Sequence, residues 1–149
     1  KPKNLEKSIQ ELISKNLDLT KQIETLQKES AKRIKSELRS KITDLNGINY
    51  LGAISELPSS SAKDILFQLK GELENFVGVI GNIDGEKCGL HVIVSDHLVE
   101  EKGFNASQWI KEVSHYIQGG GGGQAFYASA GGKKASGLEI AIQKIKEKI

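Results

Sequence analysis

A long stretch without helix-breaking residues most constrains what this chain can fold into. No Gly or Pro occurs between Leu5 and Leu45, so this stretch can form one continuous helix. Its apolar residues recur at alternating intervals of four and three, which places them on one helical face. That face, which we call the arm seam, consists of Leu5, Ile9, Leu12, Asn16, Leu19, Ile23 and Leu26. The pattern predicts a coiled-coil or bundle helix, and we assign residues 1–46 to a helical arm.

The arm needs a partner for its apolar seam. A helix of this length would extend roughly 60 Å at about 1.5 Å per residue, too far for a small domain to cover. The arm must therefore fold back on itself, pair with a second copy in a homodimer, or dock on another part of a longer protein. Asn16 would fix the register of a pair or mark a bend. The chain starts with Lys1 and contains no Met, so we expect a fragment of a longer protein.

Charge and cysteine content narrow the functional class. Residues 1–45 carry 11 basic and 7 acidic side chains, whereas residues 46–149 carry 10 and 12. The net charge of +2 does not indicate a strongly basic nucleic-acid binder, and a solvated Lys/Glu-rich helix explains the basic arm. Cys88 is the single cysteine, which favours a reducing, cytoplasmic setting. No apolar run reaches membrane-spanning length, and no signal peptide opens the chain.

The remainder, residues 47–149, predicts an α/β (α+β) domain with a mixed sheet flanked by helices. Asn46-Gly47 is expected to end the arm helix. The elements that follow read β-α-β-β-α-β-α, with a hairpin at Asp84-Gly85. Three residue pairs have the spacing of a capping box and predict helix starts: Ser61 with Asp64, Asn105 with Gln108, and Ser136 with Glu139.

Two glycine clusters are the strongest candidates for a binding site. They are Gly119–Gly123, which we predict to be a loop, and Gly131-Gly132, which we predict to begin a turn that runs to Lys134; a short apolar strand lies between them. They could be flexible linkers, but glycine-rich backbone also approaches phosphates or sugars closely. The pattern is neither a Walker loop nor a dinucleotide fingerprint. Lys133 and Lys134 follow, either as solvated charges or as phosphate ligands beside the last helix's N-terminus.

The sequence predicts no catalytic residue, metal site or cofactor within this chain. Cys88 and His91 have metal-ligand spacing, but an odd offset on a strand points their side chains to opposite faces. No second ligand pair lies nearby, which argues against zinc. No Ser/His/Asp arrangement occurs, and neighbouring Glu residues such as Glu100-Glu101 are typical of solvated charge.

A family resemblance rests on the segment from Phe76 to Gly132. It contains VGVIGNIDGEKCGLHVIVSDHL, a helix with Trp109, and GGGGGQAFYASAGGK, and it resembles the C-terminal domain of alanyl-tRNA synthetases. This domain type, DHHA1, also occurs in a phosphodiesterase superfamily. The resemblance covers roughly residues 48–149, and the arm resembles the helical connector from the editing domain.

The resemblance implies a role at the outer corner of alanine-specific tRNA, together with the rest of the synthetase. It implies support for aminoacylation and editing on the same tRNA, and a contribution to dimer formation. The synthetase's ATP, alanine and zinc sites would lie upstream of Lys1. The RNA-contacting residues expected here are Gly119, Gly120, Gly121, Gly122, Gly123, Gln124, Gly131, Gly132, Lys133 and Lys134.

This chain departs from the family pattern in two places, and two alternatives to the synthetase module stay open. Many synthetases have a Lys inside the glycine run and Arg-Pro-Asp after it, where this chain has Gly121 and residues 124–126. The phosphodiesterases commonly have a His after the glycines, where this chain has Gln124, and this departure argues against nuclease chemistry. The alternatives are the substrate-binding lobe of a DHH-type oligonucleotide phosphodiesterase, and a dimerisation module with little RNA contact.

Overall fold

The computed structural model describes residues 2–149, with side chains from Asn4 onward. The chain divides into two compact units, the first ending at Ser36 and the second spanning Glu37–Ile149. Helix α1 (Pro2–Ser40) is 39 residues long and contains no break. Every side chain from Asn4 to Glu29 is exposed, so the whole arm seam is open within the first unit. The arm is therefore a helix, as predicted, and the side chains of its apolar face are exposed.

The predicted end of the arm helix is wrong. Helix α1 ends at Ser40, and β1 (Thr43–Leu45) and β2 (Ile48–Ser55) follow as an antiparallel pair. Asn46-Gly47 is the two-residue turn of this hairpin, with φ values of 55° and 82°. Two successive positive φ angles are what a type I′ turn requires. Asn-Gly therefore connects two strands here and does not cap a helix.

A six-stranded mixed sheet forms the centre of the second unit. Besides β1 and β2 it contains β3 (Phe76–Asp84), β4 (Lys87–Val94), β5 (Gly120–Gly123) and β6 (Tyr127–Gly132). Its spatial order is β1-β2-β3-β4-β6-β5. Only β2 and β3 run parallel; the other neighbours are antiparallel. The predicted hairpin at Asp84-Gly85 is confirmed, because Asp84 pairs with Lys87 across a two-residue turn.

Helices cover both faces of this sheet. They are α2 (Ser59–Glu72), α3 (Asp96–Lys102), α4 (Ala106–Val113) and α5 (Leu138–Lys146), with 3₁₀ turns at Ser114–Ile117 and Ala135–Gly137. Val77 and Val79 of β3 belong to the core formed with α4 and α5. The alternating residue Gly78 instead approaches Leu66 of α2. The predicted fold class, a long N-terminal helix followed by a mixed-sheet α/β domain, is confirmed.

One of the three predicted caps forms. The Asn105 side chain accepts a hydrogen bond from the backbone N–H of Gln108 at 3.0 Å, at the start of α4. Ser61 lies inside α2, which begins directly after Pro58. Ser136 lies in a 3₁₀ turn, and α5 begins two residues later without a side-chain cap. In both cases the helix begins at a different residue from the one that the capping-box spacing predicts.

Candidate nucleic-acid interface

The glycine run forms the edge strand of the sheet, contrary to the predicted loop. Gly120–Gly123 is β5, which pairs antiparallel with β6. Gly131 and Gly132, predicted as a turn, are the last residues of β6. Gly120 lies directly opposite Gly131, so the structure brings the two glycine clusters together. The register continues from Gly131 to Gly89 of β4, which gives a row of three glycines across three strands.

Alternate glycines of the run are required by close backbone approach. A Cβ on Gly119 would overlap the carbonyl oxygen of Gly131, and a Cβ on Gly121 would overlap that of Ser129. A Cβ on Gly123 would lie 2.5 Å from the carbonyl oxygen of Tyr127. Because backbone atoms cannot yield as flexible side chains do, L-residues at these positions would push β5 away from β6. Three glycines of the run therefore have a structural explanation.

Packing does not explain Gly120, Gly122 or Gly131. A Cβ on Gly120 or Gly131 would meet nothing within 4 Å, and one on Gly122 only the Lys111 Cε at 3.8 Å. None of the three has a positive φ in the region that favours glycine. The local space and the backbone conformation would therefore allow an alanine-sized side chain at each of these three positions. These three residues, the bare glycines, leave an edge of backbone that a ligand can approach closely.

A pocket of about 510 Å³ adjoins the glycine row. Gly119, Gly131 and Lys133 line it, and they are among the residues that the sequence singled out. Sequence reasoning missed further lining residues: Ser59, Asn82, Asp84, Lys87 and Gln118. These come from three separate parts of the chain, and no local motif marks them. Two lysines against one aspartate make the pocket cationic overall, which suits a phosphate group.

The other predicted contact residues sit at the rim of this region. Lys133 and Lys134 are exposed, and both backbone N–H groups donate to the carbonyl oxygen of Ile117 at 3.0 Å. Their backbone is fixed while their ammonium groups stay in solvent. Gln124 is exposed and connects β5 to β6, its N–H donating to Tyr127 at 2.7 Å. These residues can contact a ligand without rearrangement of the backbone.

The predicted role of the last helix's N-terminus is not supported. Gly137 and Leu138, at the start of α5, are buried. A Cβ on Gly137 would overlap the carbonyl oxygen of Tyr116, and Glu139 stands in the first turn. An anion therefore has neither room nor favourable charge at this helix end.

A buried chain of hydrogen bonds crosses the sheet beside the pocket. Asn82 donates its side-chain amide to the carbonyl oxygen of Leu57 at 3.1 Å and to Ser59 Oγ at 3.2 Å. Its remaining oxygen must therefore accept from His91 Nε2, 2.9 Å away. The neutral imidazole then accepts at Nδ1 from the Tyr127 hydroxyl at 2.9 Å. Burial, followed by the nearby Lys63 charge, lowers the pKa of His91 to about 4.

Cys88 and His91 do not form a metal site. Cys88 lies in the core on the face toward α4 and α5, while His91 is bound on the other face, as the odd spacing predicts. Burial raises the pKa of the Cys88 thiol. Across residues 4–149, no cluster of three or more His, Cys, Asp or Glu side chains is placed to hold a metal ion.

Within the part of the chain that the structure describes, no helix has the length and apolarity needed to cross a membrane.

Comparison with known proteins places this sheet and its glycine edge in a family. The model of the DHHA1 domain matches residues 47–149. The chain belongs to the DHHA1 domain family. This match includes β2 to β6, the bare glycines, and every residue lining the pocket.

Sequence relatives of this DHHA1 protein are alanine–tRNA ligases. The ligase of Cytophaga hutchinsonii is 43% identical over 150 residues, which cover 99% of this chain and 17% of the relative. That of Christiangramia forsetii is 41% identical over 138 residues, covering 93% of this chain and 16% of the relative. The chain thus spans about one sixth of the length of the curated relatives it matches. The similarity extends through the arm as well as the DHHA1 domain.

Two solved structures resemble the chain. The C-Ala domain of Aquifex aeolicus alanyl-tRNA synthetase matches with a TM-score of 0.63 and 27% identity, covering 72% of this chain and 96% of that one. A DHH-domain protein, described as belonging to a family of ribosomal proteins, matches with a TM-score of 0.51 and 14% identity, over 79% of this chain and 30% of that one. At that identity the second likeness shows a shared fold and nothing about function.

Proposed function

We propose that this chain is the tRNA-binding C-terminal module of an alanine–tRNA ligase. The observation that carries the proposal is the pairing of the bare glycine edge with a cationic pocket, in a chain about 40% identical to alanine–tRNA ligases over nearly its whole length. Its partners are alanine-specific tRNA and the rest of the ligase. We expect ATP and zinc to act in parts of the ligase outside this chain. We also place the ligase in the cytoplasm, which the single cysteine favours.

The chemistry of a folded RNA corner suits this surface. RNA shape is read mainly through backbone, 2′-hydroxyl and stacking contacts, and less through base edges in a groove. The bare glycines Gly120, Gly122 and Gly131 let a sugar or phosphate reach backbone groups. Lys133 and Lys134, with Lys87 in the pocket, supply charge for neighbouring phosphates. Holding the tRNA corner would assist both aminoacylation and editing by keeping one tRNA bound.

The test is tRNA affinity measured at two salt concentrations with a transcript of alanine tRNA. Lys133→Ala combined with Lys134→Ala should weaken binding and lower the slope of log affinity against log salt by about one to two. Gly122→Val should weaken binding without changing that slope, because it blocks approach and removes no charge. A Cβ at Gly122 would meet only the Lys111 Cε, at 3.8 Å, so we expect this variant to fold.

Matched controls separate the site from general charge. Lys102→Ala combined with Lys144→Ala removes the same charge from exposed positions outside the pocket and should change affinity less. Circular dichroism checks folding of every variant. If the folded site variants bind tRNA like the unaltered chain, the glycine surface is not the interface, and the basic arm becomes the better candidate.

A further inference from the structure

Three aromatic side chains form a cluster at the opposite end of β6 from the glycine row. Phe67 of α2 lies 5.1 Å from Tyr127 and 6.4 Å from Phe126, measured between ring centroids. Phe67 is 37% exposed, and the other two rings are half-buried. We call Phe67, Phe126 and Tyr127 the aromatic cluster. Aromatic rings that stay partly open to solvent can take part in stacking as well as in packing.

Lysine side chains adjoin the aromatic cluster. Lys63 Nζ lies 5.9 Å from the Phe67 ring centroid and 5.5 Å from that of Tyr127. Lys63 is exposed and forms no salt bridge with a carboxylate among residues 4–149. Lys70 differs, because it lies 4.6 Å from the Phe126 ring and binds Asp96 at 3.0 Å. Lys63 therefore keeps its charge available for an incoming anion.

The aromatic cluster is held in place before any ligand arrives. The Tyr127 hydroxyl donates to His91, which is fixed in turn by Asn82. The Tyr127 ring is thereby oriented from beneath, and Phe67 packs on it. A preorganised ring loses little freedom when a flat ligand stacks on it, which favours binding.

The aromatic cluster and the glycine row belong to one surface. Tyr127 and Gly131 are the ends of a five-residue stretch of β6, and the four steps between them span roughly 13 Å at about 3.3 Å per residue. Both residues pair with β4, opposite Ile93 and Gly89. A few nucleotides of one RNA strand can span this distance. The chemistry changes along the stretch, from aromatic rings to bare backbone.

We propose that the aromatic cluster is a stacking site for one unpaired base of the RNA whose backbone lies over the glycine row, with Lys63 contacting an adjacent phosphate. This inference rests on the proposed function and specifies its ligand: RNA with a splayed base, not a continuous duplex. Stacking on aromatic rings is the usual way in which proteins bind unstacked bases, and a neighbouring cation strengthens it.

The experiment compares Phe67→Ala and Lys63→Gln by binding to the alanine tRNA transcript. Phe67→Ala should weaken binding roughly 5- to 100-fold with an unchanged salt slope, since stacking releases no counterions. Lys63→Gln should lower the slope by about one. Ile140→Ala, which truncates an apolar side chain 50% exposed on α5, is the matched control and should bind normally. A fully paired RNA hairpin should bind Phe67→Ala and the unaltered chain equally.

A second variant guards against misfolding of Phe67→Ala. Phe67→Trp preserves a stacking ring, should keep affinity within about threefold, and should show quenched indole emission when tRNA binds. The stacking site is wrong if the Phe67→Trp emission is not quenched by tRNA, or if Phe67→Ala loses as much affinity for the paired hairpin as for tRNA. If both Phe67 variants bind normally while Gly122→Val and the Lys133/Lys134 variant weaken binding, the stacking site is wrong and the proposed function stands. If the unaltered chain binds no tRNA, both fail.

Discussion

The side-chain oxygen of Asn82 lies 2.9 Å from His91 Nε2 and joins strands β3 and β4 beneath helix α2. The contact needs Gly89, because a Cβ there would overlap this Asn82 oxygen. It also fixes the tautomer of His91, since the Asn82 amide nitrogen is already donating elsewhere. A glycine on one strand therefore allows an imidazole to be held neutral and buried on the α2 face.

The first prediction concerns stability against pH. The folded pKa of His91 is about 4, below the unfolded value of about 6.5. His91 therefore binds a proton more readily in the unfolded chain than in the folded one. Its contribution to the stability of the fold is complete above pH 6.5 and is lost as the pH falls from 6.5 toward 4. The free energy of unfolding should drop by on the order of 3 kcal/mol from this group.

Urea unfolding at a series of pH values measures that loss. His91→Gln cannot titrate, so its free energy of unfolding should vary less across the same range, even if the variant is less stable at neutral pH. Parallel pH profiles for the two proteins would show that His91 does not control the acid sensitivity.

The second prediction separates structural from bare glycines. Gly121→Ala should lower the free energy of unfolding by about 1–3 kcal/mol, because the new methyl group overlaps backbone atoms of Ser129 and Ala130. Gly120→Ala, one residue earlier, meets no atom within 4 Å and should stay within about 0.5 kcal/mol. Thermal melts of both variants suffice. Equal destabilisation would mean that β5 and β6 are not paired in this register.

The third prediction concerns the arm seam. Leu12 is 63% exposed and Leu19 is 53% exposed, so the seam should bury against another helix in the assembled protein. Leu12→Asp combined with Leu19→Asp should weaken self-association or lower the melting temperature. Ser14→Asp combined with Lys21→Asp, on the opposite helical face, should do neither. Sedimentation velocity measures self-association, and thermal unfolding gives the melting temperature. If the seam variant matches the original chain in both, the arm seam does not contact another helix.

The fourth prediction is that this chain alone neither activates alanine nor hydrolyses misacylated tRNA. Residues 4–149 offer no cluster of metal ligands, and His91, the most buried histidine, is held by two structural hydrogen bonds. The measurements are alanine-dependent ATP–pyrophosphate exchange and deacylation of mischarged alanine tRNA, with an intact alanine–tRNA ligase as positive control. Clear turnover by the purified chain in either assay would contradict this reading.

The sequence alone determined the features that depend on neighbours along the chain. The four-three spacing of the arm seam specified a helix, because that periodicity is a property of helical geometry. Asp84-Gly85 specified a hairpin, and Asn105 specified a helix start through a contact only three residues away. The quoted glycine and strand motifs were also sufficient for the resemblance to the DHHA1 domain.

Only the tertiary structure shows which glycines are required by strand pairing and which are not. Whether Gly119–Gly123 is a loop or a strand depends on pairing with β6, and the overlaps that require Gly121 come from backbone atoms of that partner. The same holds for the pocket, because Ser59, Lys87 and Gln118 meet only when the sheet forms. Strand pairing joins residues far apart in sequence through backbone hydrogen bonds, and backbone atoms carry no residue-specific signal that a linear pattern could reveal.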